Sequence, residues 1–82
     1  MKRFTPKQLT ELVTELNQSL IDNKIKKQFE CGGRNGYQAV DEYSIDDTNQ
    51  RIGSGVDRNV TCGSSREVAA ECKIRFYQLL AK

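Results

Sequence analysis

Three cysteines and no histidine bound the chemistry open to this chain. Cys31, Cys62 and Cys72 share no CxxC spacing, and a structural zinc site needs four ligands, so scattered thiols do not make a metal centre. Cys31 and Cys62 each precede a glycine at an expected strand end, which leaves a disulfide between them open. Cys72 has the spacing of a small buried residue on a helix. Without an imidazole, a Ser or Cys nucleophile lacks its usual base. The neighbouring carboxylates Asp41 and Glu42 would point to opposite sides of a strand rather than converge. Asp46-Asp47-Thr48-Asn49 offers oxygen ligands but lacks the spacing, glycine and terminal glutamate of a calcium loop. The chain therefore reads as non-enzymatic, with no metal and no cofactor.

What remains is recognition chemistry. Arg34, Tyr37 and Tyr43 are of the types that supply binding energy at interfaces. The acidic run Asp41, Glu42, Asp46 and Asp47 suits a positively charged groove, because complementary potential speeds and orients docking. Arg34, Arg51 and Arg58, beside glycine-rich loops, suit the phosphates of a nucleotide ligand. A basic edge of Lys2, Arg3, Lys24, Lys26 and Lys27, with Arg66, suits a nucleic-acid backbone.

The elements that must position these residues are legible in order. Thr5 is an N-cap, Pro6 a first helical residue and Gln8 the partner of a capping box. Phe4 and Leu9 form a hydrophobic staple across it. Leu9, Leu12, Val13, Leu16 and Leu20 then make one apolar helical stripe, ended at Asp22-Asn23 by the left-handed conformation asparagine tolerates. Period two follows over residues 24–31, with Ile25, Lys27, Phe29 and Cys31 on one side. Gly32 to Gly36 reads as a hairpin loop containing the Asn35-Gly36 turn signal. Residues 37–45 alternate again, with Tyr37, Ala39, Tyr43 and Ile45 expected on the packed face, Asp41 as the exception, and Gln38, Glu42 and Ser44 on the wet one. A third strand falls within residues 51–62, interrupted at Gly53-Ser54-Gly55 by a bulge or a second loop. Ser64 and Glu67 make a second capping box for a helix over residues 64–82. The expected class is α+β: a three-stranded antiparallel meander with N- and C-terminal helices on one face, α-β-β-β-α.

That last helix carries two apolar stripes. Val68, Cys72, Phe76 and Leu79, with Ala69 and Leu80, fill one arc, while Ala70, Ile74, Tyr77 and Ala81 recur nearly opposite. One stripe packs the domain; the other is covered by the chain's own N-terminal helix or termini, or by a partner, either a second copy in a homodimer or another protein.

Composition agrees with a small binding domain. At 82 residues and 37% hydrophobic content the core is modest, so association would help it. A net charge of +2 is too small to mark a nucleic-acid binder by bulk electrostatics. No run is long enough to span a membrane and no secretory leader is evident, so a cytoplasmic protein is expected.

Three resemblances bear on function. Gly33-Arg34-Asn35-Gly36 has the GxxG form with which KH domains clamp a nucleic-acid backbone. In those domains it joins two helices, whereas here it joins two expected strands and reads as a turn. Gly63-Ser64-Ser65-Arg66-Glu67-Val68-Ala69-Ala70 resembles the start of the final helix in double-stranded-RNA-binding domains, which share the α-β-β-β-α order. Where those domains place a lysine cluster on phosphates, this chain has Arg66 followed by Glu67 and Glu71. Taken whole, the short, polar, catalytically bare chain is similar to small bacteriophage-encoded anti-defence proteins, the anti-CRISPRs among them. That resemblance implies stoichiometric binding to a host defence protein inside the host cytoplasm. Nucleic-acid binding and a nucleotide sponge are the alternatives.

Overall fold

Thr5 starts the first helix through the expected reciprocal bonds. The Gln8 amide donates to Thr5 Oγ1 at 3.2 Å and the Thr5 amide donates to Gln8 Oε1 at 2.8 Å. In this computed structural model, which describes residues 4–34 (the Arg34 side chain excepted), 37–53 and 55–81, helix α1 spans Pro6–Asp22. Its end differs from expectation. Asn23 stays at φ −93° and bonds the Ser19 carbonyl through both its backbone and side-chain amides. The left-handed residue is Lys24, at φ 60°, because Asn23 is held back by those two bonds.

Three strands follow: β1 (Lys27–Arg34), β2 (Tyr37–Ser44) and β3 (Arg58–Gly63), antiparallel and in the order β1-β2-β3. β1 runs on through Gly32 and Gly33, which the sequence suggested as loop. Because Arg34 pairs with Tyr37, only Asn35 and Gly36 connect the strands; the turn they form lies outside the described residues. Gly53 and Gly55 belong to the loop between β2 and β3, and Ser54 lies outside the described residues. The irregularity sits later, where Val40 pairs with Thr61 but Asp41 with Asn59, leaving Val60 as the extra residue of a bulge. Helix α2 (Ser65–Leu80) closes the chain, capped by Ser64 and Glu67 as expected.

Both helices cover one face of the sheet, giving the α-β-β-β-α, α+β architecture. Leu9, Val13 and Leu20 of α1 and Val68, Ala69, Cys72, Phe76 and Leu79 of α2 close over Phe29 and Val40. Phe4 packs at the margin of this core, where the staple requires it.

The phase of β2 is the reverse of the expected one. Phe29 faces the helices, and its cross-strand partner is Glu42, so Val40, Glu42 and Ser44 point inward. Tyr37, Ala39, Asp41 and Tyr43 point to the other side. Opposite residues on paired strands share a face, and once β1 is seated by Phe29 the register of the short hairpin fixes the rest.

The free edge of β1 is covered at one point. Asn17 of α1 accepts from the Phe29 amide at 2.8 Å and donates to the Phe29 carbonyl at 2.9 Å, as a neighbouring strand would.

Candidate functional site

The inverted register sorts the candidate recognition residues into two groups. On the helix side, Glu42 is 1% exposed. A carboxylate there is tolerated only if fully bonded. Arg75 of α2 supplies both bonds, Nε to Oε1 at 2.6 Å and NH2 to Oε2 at 3.2 Å. The pairing raises the already high Arg75 pKa, chiefly through that hydrogen bond. Lys27 stands 3.9 Å from the Glu42 carboxylate and bonds Asp57 and the Ser44 hydroxyl. Ser44 in turn donates to Asp57. The Lys27 and Ser44 bonds hold the Asp57 carboxyl below the usual aspartate range. Every charge in this cluster has a partner, which makes it structural glue.

The outer face is different in kind. Tyr37, Ala39, Asp41, Val56, Asn59 and Cys62 line a shallow depression of about 240 Å³. Ala39 forms its buried floor, Asn59 donates to Asp41 at 2.8 Å on one wall, and Tyr37 and Val56 are exposed. Tyr37 also lines a second depression of about 280 Å³, with Phe4, Pro6, Gln38, Gly63, Ser64 and Ser65. Beside the first depression, the Arg51 guanidinium lies 4.4 Å from the Tyr43 ring centroid and bonds Glu30 at 2.9 Å. That stack holds a flat, amphipathic surface in place.

The loop that frames this face is tied back to β2. Asp46 Oδ1 accepts from the Thr48 amide and hydroxyl and from the Gln50 amide, lowering the Asp46 pKa, the Thr48 hydroxyl bond being the largest cause. Ile52 and Asp57 donate their amides to the Ser44 and Glu42 carbonyls at 3.0 and 2.7 Å. Between those anchors the chain swings out through Gly53, whose φ of +73° is left-handed. Ile52 and Val56 stand exposed at the two ends of the excursion.

Of the residues expected to bind a partner, Tyr37, Asp41 and Tyr43 share the outer face. Glu42 does not: it is buried on the opposite side against Arg75, which corrects its assignment as a contact residue. Asp46 is committed to its own turn, and Asp47, though fully open, sits 3.4 Å from Lys26. The Arg34 side chain lies outside the described residues. The basic edge is also partly neutralised, Lys26 by Asp47 and Lys27 by Asp57; Lys2 and Arg3 lie outside the described residues. Arg51 faces outward, whereas Arg58 pairs with Glu42 in register, so these two arginines do not converge on one anion.

The thiols are free. Cys31 faces the helices and Cys62 the outer depression, which rules out the disulfide left open by the sequence. Cys72 is buried, and burial first, then Cys31, pushes its pKa to about 12, far from a reactive thiolate. Burial likewise raises Cys31, opposed by a bond with Thr10. Among the described residues no cluster of Cys, Asp or Glu is arranged to hold a metal. No helix among them is long and apolar enough to cross a membrane.

Ala70, Ile74, Tyr77 and Ala81 all lie on the solvent side of α2. Among the described residues nothing from the chain itself covers them, because α1 packs on the other side.

Val56 and Asn59 do not stand out in the sequence as contact residues, and Arg51 does so only as a phosphate ligand. The signal that finds them is the register: counting outward from a two-residue turn at Asn35-Gly36 sets Phe29 opposite Glu42 and turns the tyrosines outward. No family model, curated protein or solved structure matches this chain.

Proposed function

We propose that this chain is a non-enzymatic binding protein that acts by occupying a partner protein through the outer face of its sheet. The observation that carries this reading is the placement of Tyr37, Tyr43 and Val56 on the side of the sheet away from the helices, around a depression with one polar wall of Asp41 and Asn59. Aromatic and arginine side chains held rigid on a sheet cost little to order on binding. The acidic version of the reading, in which carboxylates imitate phosphates, has less support: Glu42 is buried, and Asp41, Asp46 and Asp47 each have a partner. The resemblance to small phage-encoded anti-defence proteins directs the search toward components of host defence, and inhibition by stoichiometric capture is the mechanism it favours.

The test is hydrogen exchange on a complex recovered from host lysate and shown by native mass spectrometry to have fixed stoichiometry. Protection should fall on residues 37–43 and 51–57, and Tyr37→Ala should weaken the complex at least about tenfold, the scale of an interface hot spot. Protection confined to other surfaces sinks the reading. Recovery of duplex RNA or DNA with steep salt dependence would replace it with nucleic-acid binding.

A further inference from the structure

The exposed stripe of α2 carries a charge pattern that specifies its occupant. Ala70, Ile74, Tyr77 and Ala81 are spaced by four, three and four residues, the spacing of the seam between two paired helices. Ile74 is 51% and Tyr77 64% exposed, the latter the most exposed large apolar side chain described. The Tyr77 ring is already set by an edge-on contact with Phe76, centroids 5.2 Å apart. Along one margin of the seam stand Arg66 and Lys73; along the other stand Glu71 and Gln78. All four are exposed, and none makes a salt bridge or side-chain hydrogen bond among the described residues.

This asymmetry distinguishes the ways in which two copies can meet. When two helices pack in parallel about a two-fold axis, the leading margin of each faces the trailing margin of the other. Arg66 then meets the partner's Glu71, and Lys73 meets the partner's Gln78, each contact made twice by symmetry. When they pack antiparallel, like margins meet, setting arginine and lysine against arginine and lysine. We propose that the Ala70–Ile74–Tyr77–Ala81 face of α2 is a self-association surface on which a second copy docks with its α2 parallel. The inference does not rest on the binding function above, because this face lies on the far side of α2 from the sheet. A parallel pair leaves both outer sheet faces free, so the dimer is bivalent for whatever that face binds.

The seam is short. One helix of 16 residues spans about 24 Å at 1.5 Å per residue. The area it can bury falls below the roughly 800 Å² per partner of a standard interface. Association is therefore weak and concentration-dependent.

Sedimentation equilibrium on the full chain, from about 1 µM to about 1 mM, covers the corresponding affinity range. A rising dimer fraction is expected, and Ile74→Asp should raise the dissociation constant at least about tenfold. Arg66→Glu should also weaken the dimer, by about three- to tenfold for two rim ion pairs. Adding Glu71→Arg to it should restore the affinity. Neither change endangers folding, as both sites are exposed and a glutamate suits the first turn. In a Cys62→Ser background, Ala70→Cys should form a disulfide to its own copy on oxidation, since a parallel two-fold brings like positions together. A monomer throughout the range overturns the proposal. So does tightening by Arg66→Glu, or failure of Ala70→Cys to crosslink, since both point to an antiparallel pair.

Discussion

Adjacent residues of β2 lead opposite lives. Glu42 is sealed beneath α2 with both carboxylate oxygens bonded, while Asp41 and Tyr43 on either side of it are half-buried on the face turned away from the helices, beside Asn59 and Arg51. The alternates Tyr37, Ala39 and Tyr43 were the natural candidates for the helix-facing side, yet that side is taken by Val40 with the polar Glu42 and Ser44. The difference teaches that strand phase here is decided by pairing and by a distant partner rather than by the strand's own hydropathy. A buried carboxylate is costly on its own, but Arg75 lies one helix away in space and 33 residues away in sequence. With that partner in place, the aromatic side is left facing away from the helices.

The sharpest way to break this comparison is to remove Arg75. Arg75→Ala leaves Glu42 buried with Lys27, at 3.9 Å, as its nearest cation. A loss of about 3–5 kcal/mol is expected, as for breaking a buried pair. For a domain of this size that is most of the stability, so urea titration should show a largely unfolded chain in water. The double variant Glu42→Leu/Arg75→Leu should recover the loss, because well-packed apolar residues replace a buried pair at little or no cost. If the double variant is no better than the single one, the cluster does more than hold the strand in phase.

How much of this was legible follows from which interactions are local. The caps at Thr5 and Ser64 are decided within four residues, and both stood where the sequence placed them. The element order and the antiparallel meander followed from connections too short for anything else. The face assignment failed because hydropathy alternation in residues 37–45 is ambiguous: Val40 is apolar on one side, Ala39 and Tyr43 on the other. The Asn35-Gly36 turn carried the missing information, but only when read as a two-residue connection and propagated along the register to Glu42. The partner of Glu42 was not readable at all, because nothing local to Arg75 distinguishes it from a solvated helix charge. The second stripe on α2 was readable, since its spacing stands in the sequence; its exposure needed the fold.

Asn17 gives the next effect. It links α1 to the inward phase of β1 by two bonds to Phe29, and Asn17→Ala leaves both Phe29 backbone groups partly buried and unpaired. The expected cost is about 1–3 kcal/mol, read from the urea midpoint with an unchanged slope. Hydrogen exchange at the Phe29 amide should rise while that of β2 holds. Equal acceleration across the sheet would mean that Asn17 supports the core generally rather than the edge.

On the outer face, large side chains should be removable with little penalty. Tyr37→Ala and Val56→Ala are each expected within about 0.5 kcal/mol of the parent, as for exposed sites away from caps and core. A loss of several kcal/mol at either position would place these residues in the fold rather than in recognition, and the contrast between the two sides of β2 would dissolve.

The smallest effect concerns Asp57, which ties the loop before β3 to Lys27 and Ser44, at the rim between the two sides. Its carboxyl is held below the usual aspartate range in the folded protein, first by the Lys27 bond and then by Ser44, and in the unfolded chain it returns to the ordinary value. A lowered folded pKa stabilises the fold fully above the ordinary value and loses that contribution as pH falls through the folded one. The difference in stability between the parent and Asp57→Asn should therefore be constant from about pH 7 to about pH 5, and shrink below that as the parent's carboxyl is protonated. Asp46 and Glu67, also lowered by their bonds, titrate alike in both proteins and cancel. The site is open to solvent, so salt should reduce the difference as well. A gap that stays the same down to the acid transition and ignores salt would show that Asp57 acts by shaping the loop, and that its charge contributes nothing to joining the two sides.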